Sequence, residues 1–348
     1  MKNMKPAYQA RTPVVLNEQS GFVLPYVLAV IAIVSILSVV GANALKRAQD
    51  NLSTVSQRTE LAAALNTAET VATHVFLTSP MVEPGLDLSG QSIDEGSLLM
   101  GEPVPIDGLS ENDIWNAVGG MRAIKSGSID VTIKYQDADG LLSLNAADAS
   151  VLTQWLGPLI EGAQNRQSLI AKLLDYRDAN TNRRYQGAER AEYRLARRSP
   201  PTNSPLRSYQ ELQNVMGFDA LTVDPDELTT LTLFPTAVFP RTKGMPQALA
   251  SRLVRPGSAT AADDLVGTQL VDSRFPSVRA QFTFTAYRQG VPFGLRRVVE
   301  IERTSGNADR AFSRRRIAEY AVNADAEFPE QNYVYLQLRP SAPTRPDE

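Results

Sequence analysis

The densest run of chemistry-bearing residues lies between Asp175 and Glu192. Counting Asp178 as position one, side-chain oxygens recur at positions one, three, five, nine and twelve, on Asp178, Asn180, Asn182, Gln186 and Glu189. That is the ligand spacing of an EF-hand calcium loop, in which alternate residues of a tight turn aim oxygens inward and a late Glu closes the site. Hard oxygen ligands without His or Cys suit calcium rather than a transition metal. Position six is Arg183, where the standard loop needs Gly for its sharp turn, so the spacing predicts an irregular calcium loop rather than a regular EF-hand. Asp175 and Glu192 could add carboxylates to the same site or to a second one. The same residues also read as a solvated charged loop in which Arg177, Arg183, Arg184 and Arg190 pair with the acids, and spacing alone leaves both readings open.

Elsewhere the inventory is restrictive. There is no cysteine and a single histidine, His74, so disulfides, zinc-thiolate sites, cysteine nucleophiles, Ser-His-Asp sites and multi-His metal sites are all without the residues they need. No Gly-rich phosphate loop is present, and the formal net charge of −3 gives no basis for nucleic-acid binding. Asp137-Ala-Asp139-Gly140 could hold an ion, but between two strands it reads first as a turn. Arg190, Arg194, Arg197 and Arg198 read as a charged surface balancing the carboxylates, with an acidic partner as the alternative.

These residues need elements to position them. A polar leader carrying Lys2, Lys5 and Arg11 ends at Gly21, and an uncharged apolar run follows from Phe22 to Leu45, closed by Lys46 and Arg47. At about 1.5 Å per residue, that run crosses a hydrocarbon core of about 30 Å as a helix. The Gly21-Phe22 junction stands before the apolar run, as a prepilin peptidase site does; cleavage there would leave the helix at the mature N-terminus. A secretory signal cleaved after Ala42-Asn43-Ala44 is a second reading, although its apolar region would exceed the usual range of about 7–15 residues. An uncleaved signal anchor is a third. The helical pattern continues to Phe76: Leu52, Val55, Ala62, Leu65, Ala68, Ala72 and Val75 recur mostly at spacings of three and four. Pro25 falls in the first turn, where its missing N–H costs least.

The fold class expected is α+β: a long N-terminal transmembrane and stalk helix and a β-rich head with an inserted all-α domain. The boundaries are leader 1–21, stalk 22–76, first part of the head 77–145, helical insert 146–235, second part of the head 236–339, and a disordered tail 340–348. Residues 78–124 read as loop with short elements, 128–136 as a strand, and 141–144 as its returning partner. Helices are expected at 147–156, 167–177, 208–216 and 225–233, the third opened by a capping box of Ser208 and Glu211. Phe282, Phe284 and Ala286 alternate with Thr283 and Thr285 in a strand; 293–303, 314–322 and 332–338 read as further strands.

Four segments carry a family resemblance: the Gly21-Phe22 junction with its helix, Asp137 to Asn145, Leu174 to Tyr193, and Asn203-Ser-Pro-Leu-Arg-Ser-Tyr-Gln-Glu-Leu to Gly217. The chain resembles type II secretion system protein K, a minor pseudopilin; the resemblance fades after Pro235. It implies a non-enzymatic protein that is cut and N-methylated by prepilin peptidase. Held first in the inner membrane by a single helix with its head in the periplasm, it would initiate or cap a pseudopilus that exports folded proteins. Implied partners are minor pseudopilins of the I and J types, the major pseudopilin and the inner-membrane assembly platform. Most pseudopilins carry Glu at the fifth mature position; this family lacks it, and Tyr26 stands there, consistent with a subunit that has none above it. Calcium in the helical insert is implied too. A minor pilin of a type IV pilus or DNA-uptake pseudopilus is the alternative reading. A signal-anchored periplasmic enzyme is a further one, for which the inventory offers no catalytic set.

Overall fold

A computed structural model describes residues 23–90, 109–221, 224–253, 275–304, 312–323 and 334–336. The leader, the Gly21-Phe22 junction and the tail from residue 340 lie outside the described residues. The chain forms two compact units, residues 1–57 and 58–348.

Helix α1, Val23–Thr78, contributes to both units. In the first, large apolar side chains are exposed on every face, among them Leu24, Leu28, Ile31, Val34 and Leu37. A helix apolar all round and long enough to span is the pattern of a membrane segment. In the second unit Leu61, Ala64, Leu65, Ala68, Ala72 and Phe76 form a buried stripe. Leu52 and Val55, placed on that stripe by periodicity, are exposed. Spacing identifies which face is apolar but not how far along it a covering surface reaches.

The head is built on a five-stranded antiparallel sheet. Its strands are β4 (Val118–Ser126), β5 (Ile129–Asp137), β8 (Arg279–Arg288), β9 (Phe293–Arg303) and β10 (Phe312–Asn323), in the order β10-β9-β8-β5-β4. A smaller sheet joins β1 (Met81–Val82), β2 (Gly85–Asp87) and β3 (Ile114–Asn116). The sheet's two faces differ in chemistry. Ile133, Tyr135, Phe282, Phe284 and Val299 pack against the buried stripe of α1. Within that core Phe76 lies edge-on to Phe282 at 5.6 Å, and Tyr135 stacks on Phe282 at 5.2 Å. The opposite face carries Thr132, Gln136, Gln281, Thr283, Thr285 and Glu300, all buried. Of these, the sequence pattern set Thr283 and Thr285 apart from Phe282, Phe284 and Ala286; that the polar residues of three strands share one covered face was not legible.

The cover is the chain between β5 and β8. Its regular elements are β6 (Leu142–Ser143), α2 (Ala149–Leu156), α3 (Ala163–Arg177), α4 (Arg190–Leu195), α5 (Pro225–Leu228), β7 (Leu231–Thr232) and α6 (Gln247–Leu253). They share a core centred on Trp155, Leu173, Tyr176 and Tyr193, which also takes in Val298, Ile317 and Ala318 of the sheet. Polar side chains lock the chain's crossings. Asn145 donates to the carbonyls of Leu206 and Leu233 at 3.0 and 2.7 Å and accepts from the Leu206 N–H at 2.8 Å. Glu300 accepts from the Leu233 N–H at 2.7 Å and from the Thr232 hydroxyl, and pairs with Arg315 at 2.8 Å.

Several expectations are corrected. Residues 141–144 do not return beside β5, because β4 and β8 occupy both of its edges; β6 instead pairs in parallel with β7. Strand β4 lies in a stretch read as loop, its pattern broken by Gly119 and Gly120 at a bulge. It joins β5 through Gly127, whose φ of +63° suits a tight hairpin. The helix expected at 208–216 is a 3-10 turn, Tyr209–Asn214. Ser208 makes no side-chain cap there, and Glu211 accepts from the Arg207 N–H instead. The helix expected at 225–233 ends at Leu228, after which β7 begins. Within 332–338 the described residues hold one isolated bridge, Tyr335 to Ala123.

Candidate calcium loop

Helix α3 ends at the chemistry-bearing run. Asp178 is its C-cap and Asp175 sits one turn earlier, fully buried. The chain then turns through residues 179–189 and enters α4. Short side chains wind the turn: Asp178 accepts from the Asn180 N–H at 3.2 Å, and Asn180 from the Asn182 N–H at 2.7 Å. Asn203 donates to the Asn180 carbonyl at 2.5 Å, tying the turn to the segment that follows α4. Gln186 takes a φ of +61°, and the next residue leaves no room for a side chain as placed: a Cβ at Gly187 would lie 2.0 Å from Asp175 Oδ2.

Arginines occupy the acids. Arg184 donates from its backbone N–H to both Asp175 oxygens, at 3.3 and 3.2 Å, and from its guanidinium to Asp175 at 2.8 Å and to Asp178. Arg183 pairs with Glu192 at 2.7 Å. Glu192 also accepts from the Glu189 N–H at 2.9 Å, a capping box for α4 that sequence reading missed. That backbone bond, with Arg183 beside it, lowers the Glu192 pKa. Burial, with Arg184 next to it, brings Arg177 down to about 10, while its guanidinium caps the carbonyls of Leu144 and Ala147.

Glu189 is different. It is buried, and its Oε1 has no hydrogen-bond partner; Gln186 Oε1 is in the same condition. Burial raises the Glu189 pKa, Asn203 partly offsets this, and Asp175 and Asp178 raise it further. Arg184 thus bridges Asp175 and Asp178, and both of these acids act on Glu189. Asn180 and Asn182 are exposed. Among the described residues no group of three His, Cys, Asp or Glu side chains is close enough to hold an ion as placed. The fit to a hard cation is thus partial. Two buried oxygens without hydrogen-bond partners, on Gln186 and Glu189, favour one, and a guanidinium stands between Asp175 and Asp178.

The remaining candidates resolve simply. Asp137 accepts from the Ser277 hydroxyl at 2.6 Å, pairs with Arg241 and caps the Asp139 N–H, while Asp139 pairs with Arg279 at 3.5 Å, so the tetrad is an arginine-filled turn. Within the arginine cluster Arg198 pairs with Asp219 at 2.8 Å, and Arg190, Arg194 and Arg197 are exposed. His74 is exposed on α1, as is Tyr26.

Residues 132–225 match the family model for Type II secretion system (T2SS), protein K. The stretch runs from β5 through the tetrad, the loop and α4 to the first residue of α5. It contains three of the four segments that carry the resemblance and bears that recognition out. No curated protein matches the chain. Among solved structures, the chain is similar to one in the crystal structure of the GspK-GspI-GspJ complex from the enterotoxigenic Escherichia coli Type 2 Secretion System. Identity is 15%, the TM-score is 0.44, and the match covers 79% of this chain and 100% of that one.

Proposed function

We propose that this chain, similar to protein K across its inserted helical segment, acts as a minor pseudopilin of a type II secretion system. The observation that carries the reading is the match over residues 132–225. Its supports are the N-terminal helix long and apolar enough to span a membrane and a bulky insert packed on one face of the head sheet. On this reading Phe22 is the first mature residue and is methylated after cleavage at Gly21. The head faces the periplasm, and the subunit sits at the pseudopilus tip with I- and J-type pseudopilins, initiating or capping assembly. Tyr26 in place of Glu fits a tip position, because a subunit with none above it has no N-terminal amine to neutralise.

Calcium is part of the proposal. Asp175, Asp178 and Glu189, with Gln186 and the outer residues Asn180, Asn182 and Glu192, would hold it. The cation would supply charge where Arg184 now stands, closing the turn between α3 and α4. Three experiments test these readings. The intact mass and N-terminal peptide of the protein from its native membrane should show a methylated Phe22; a retained leader or a start at Leu45 would overturn the processing. Deletion should block exoprotein release, whereas loss of twitching or DNA uptake alone would point to a type IV fibre. Chelation should lower the melting temperature, and Asp178→Ala with Glu189→Ala should abolish that response. A chelator-independent melting curve for the unaltered protein would exclude calcium.

A further inference from the structure

Between the polar face of the head sheet and the chain that covers it lies a cavity of about 340 Å³. That is at the lower end of the range for small-ligand pockets, about 300–1,000 Å³. Its floor is set by strand register: Thr132 lies opposite Thr285, and Lys134 opposite Thr283, so alternate residues of β5 and β8 aim into one space. Thr132 and Thr283 are 6% and 7% exposed. Polar groups of folded proteins are normally hydrogen-bonded, and several of those lining this cavity are. Thr285 accepts from Arg296 at 3.2 Å, Arg296 pairs with Asp226 at 2.8 Å, and Thr229 and Thr230 each donate to a carbonyl of their own turn at 2.7 Å. Lys134, Thr132 and Thr283 differ from these. Among the described residues none of the three makes a side-chain hydrogen bond or ion pair.

The chemistry of a fitting ligand follows from these three. Two hydroxyls and an ammonium converge as donors, so the occupant accepts hydrogen bonds. Arg296 is already neutralised by Asp226, leaving one uncompensated positive charge and calling for one negative charge. Met121, Pro246 and Ala248 line other parts of the wall, which suits a short apolar tail. Burial lowers the Lys134 pKa, with Asp226 opposing and Arg296 reinforcing the shift, as for an amine held in part away from water without a close counter-ion. We propose that this cavity is a carboxylate-binding site in which Lys134 supplies the charge and Thr132 and Thr283 donate hydrogen bonds. The carboxylate is either a free short-chain monocarboxylic acid or a Glu side chain presented by another protein. Nothing in this site depends on the secretion reading.

The test uses the full chain in detergent micelles, its lysines carrying 13C-methyl groups and the Lys134 resonance assigned with Lys134→Arg. Butyrate and a blocked tripeptide whose only carboxylate is Glu are titrated in turn, against sodium chloride as control. Saturation of the Lys134 shift by butyrate but not by the peptide identifies a free acid as the ligand. Saturation by the peptide identifies a protein-borne carboxylate. The isosteric pair Thr132→Val and Thr283→Val should weaken the response at least about tenfold while leaving the melting temperature in place. A Lys134 resonance that follows sodium chloride alone up to millimolar concentrations of both probes would overturn the proposal. So would undiminished binding by the folded double variant.

Discussion

At the residue scale, Gly187 and Glu189 decide what the loop after α3 can do. Gly187 lets the Asp175 carboxylate approach the backbone, since a Cβ there would collide with Asp175 Oδ2 at 2.0 Å. Gly187→Ala should destabilise the head by about 1–3 kcal/mol, the usual cost of overpacking a close-packed site. A denaturant midpoint matching the unaltered protein would show that the carboxylate can move aside freely. Glu189 offers a pH test. Its folded pKa is raised above the ordinary 4.5, so the folded state holds this proton more tightly than the unfolded chain. Stability from this group is therefore fully present below the unfolded pKa and is lost as pH rises from there through the raised folded pKa. In the presence of chelator, Glu189→Gln should lack that loss and should gain on the unaltered protein as pH climbs through the window. A constant difference between the two at all pH values would count against the buried, cation-free carboxyl.

At the scale of elements, α1 is held to the sheet by charge as well as by its apolar stripe. Glu69, 1% exposed, meets Arg297 at 2.9 Å from β9 and Arg316 at 2.9 Å from β10. Removing one partner of a buried pair leaves the other uncompensated. Glu69→Ala should accordingly cost about 3–5 kcal/mol, with the low end favoured because Arg297 keeps Glu319 at 2.7 Å. Hydrogen exchange should quicken across residues 61–76 before it does in β5 and β8; uniform acceleration would mean that the pair does not fasten the helix in particular. The elements also divide by how far the sequence reveals them. The α1 pattern, β5, β9 and the existence of α2 were legible because each follows its own period; the start of α2 was not, since the helix was expected from residue 147 and the cap that opens it, Asp148 accepting from Ser150 and Val151, went unread. Strand β4 was not, because Gly119 and Gly120 interrupt its alternation. The fate of Leu141 to Leu144 was not either, because pairing depends on which edges are already taken. At the candidate loop, the spacing of acids was readable. That arginines could pair with these acids was readable too; that it is Arg184 that reaches both Asp175 and Asp178 is visible only in the fold.

For the whole molecule, the contrast between the two faces of the sheet explains how an insertion of this size is tolerated. The face against α1 is aromatic and aliphatic, while the face beneath the insert is largely threonine, glutamine and glutamate. A sheet with one apolar and one polar face can stand with the polar side in water. The insert leaves and returns at neighbouring points, since Asp137 lies directly opposite Ala280 in the β5–β8 ladder. Replacing residues 138–278 with a short Gly-containing turn should therefore leave a sheet and helix that still melt cooperatively around Leu61, Phe76, Tyr135 and Phe282. The penalty should be limited to surface that the insert now covers at Val298, Ile317 and Ala318. Circular dichroism melting and the dispersion of amide resonances measure the outcome. A broad, non-cooperative transition would show that the insert's core is needed to fold the head. A cooperative one would make the insert a separable addition, and the same shortened chain, tested for exoprotein release, would then show what the insert does beyond folding.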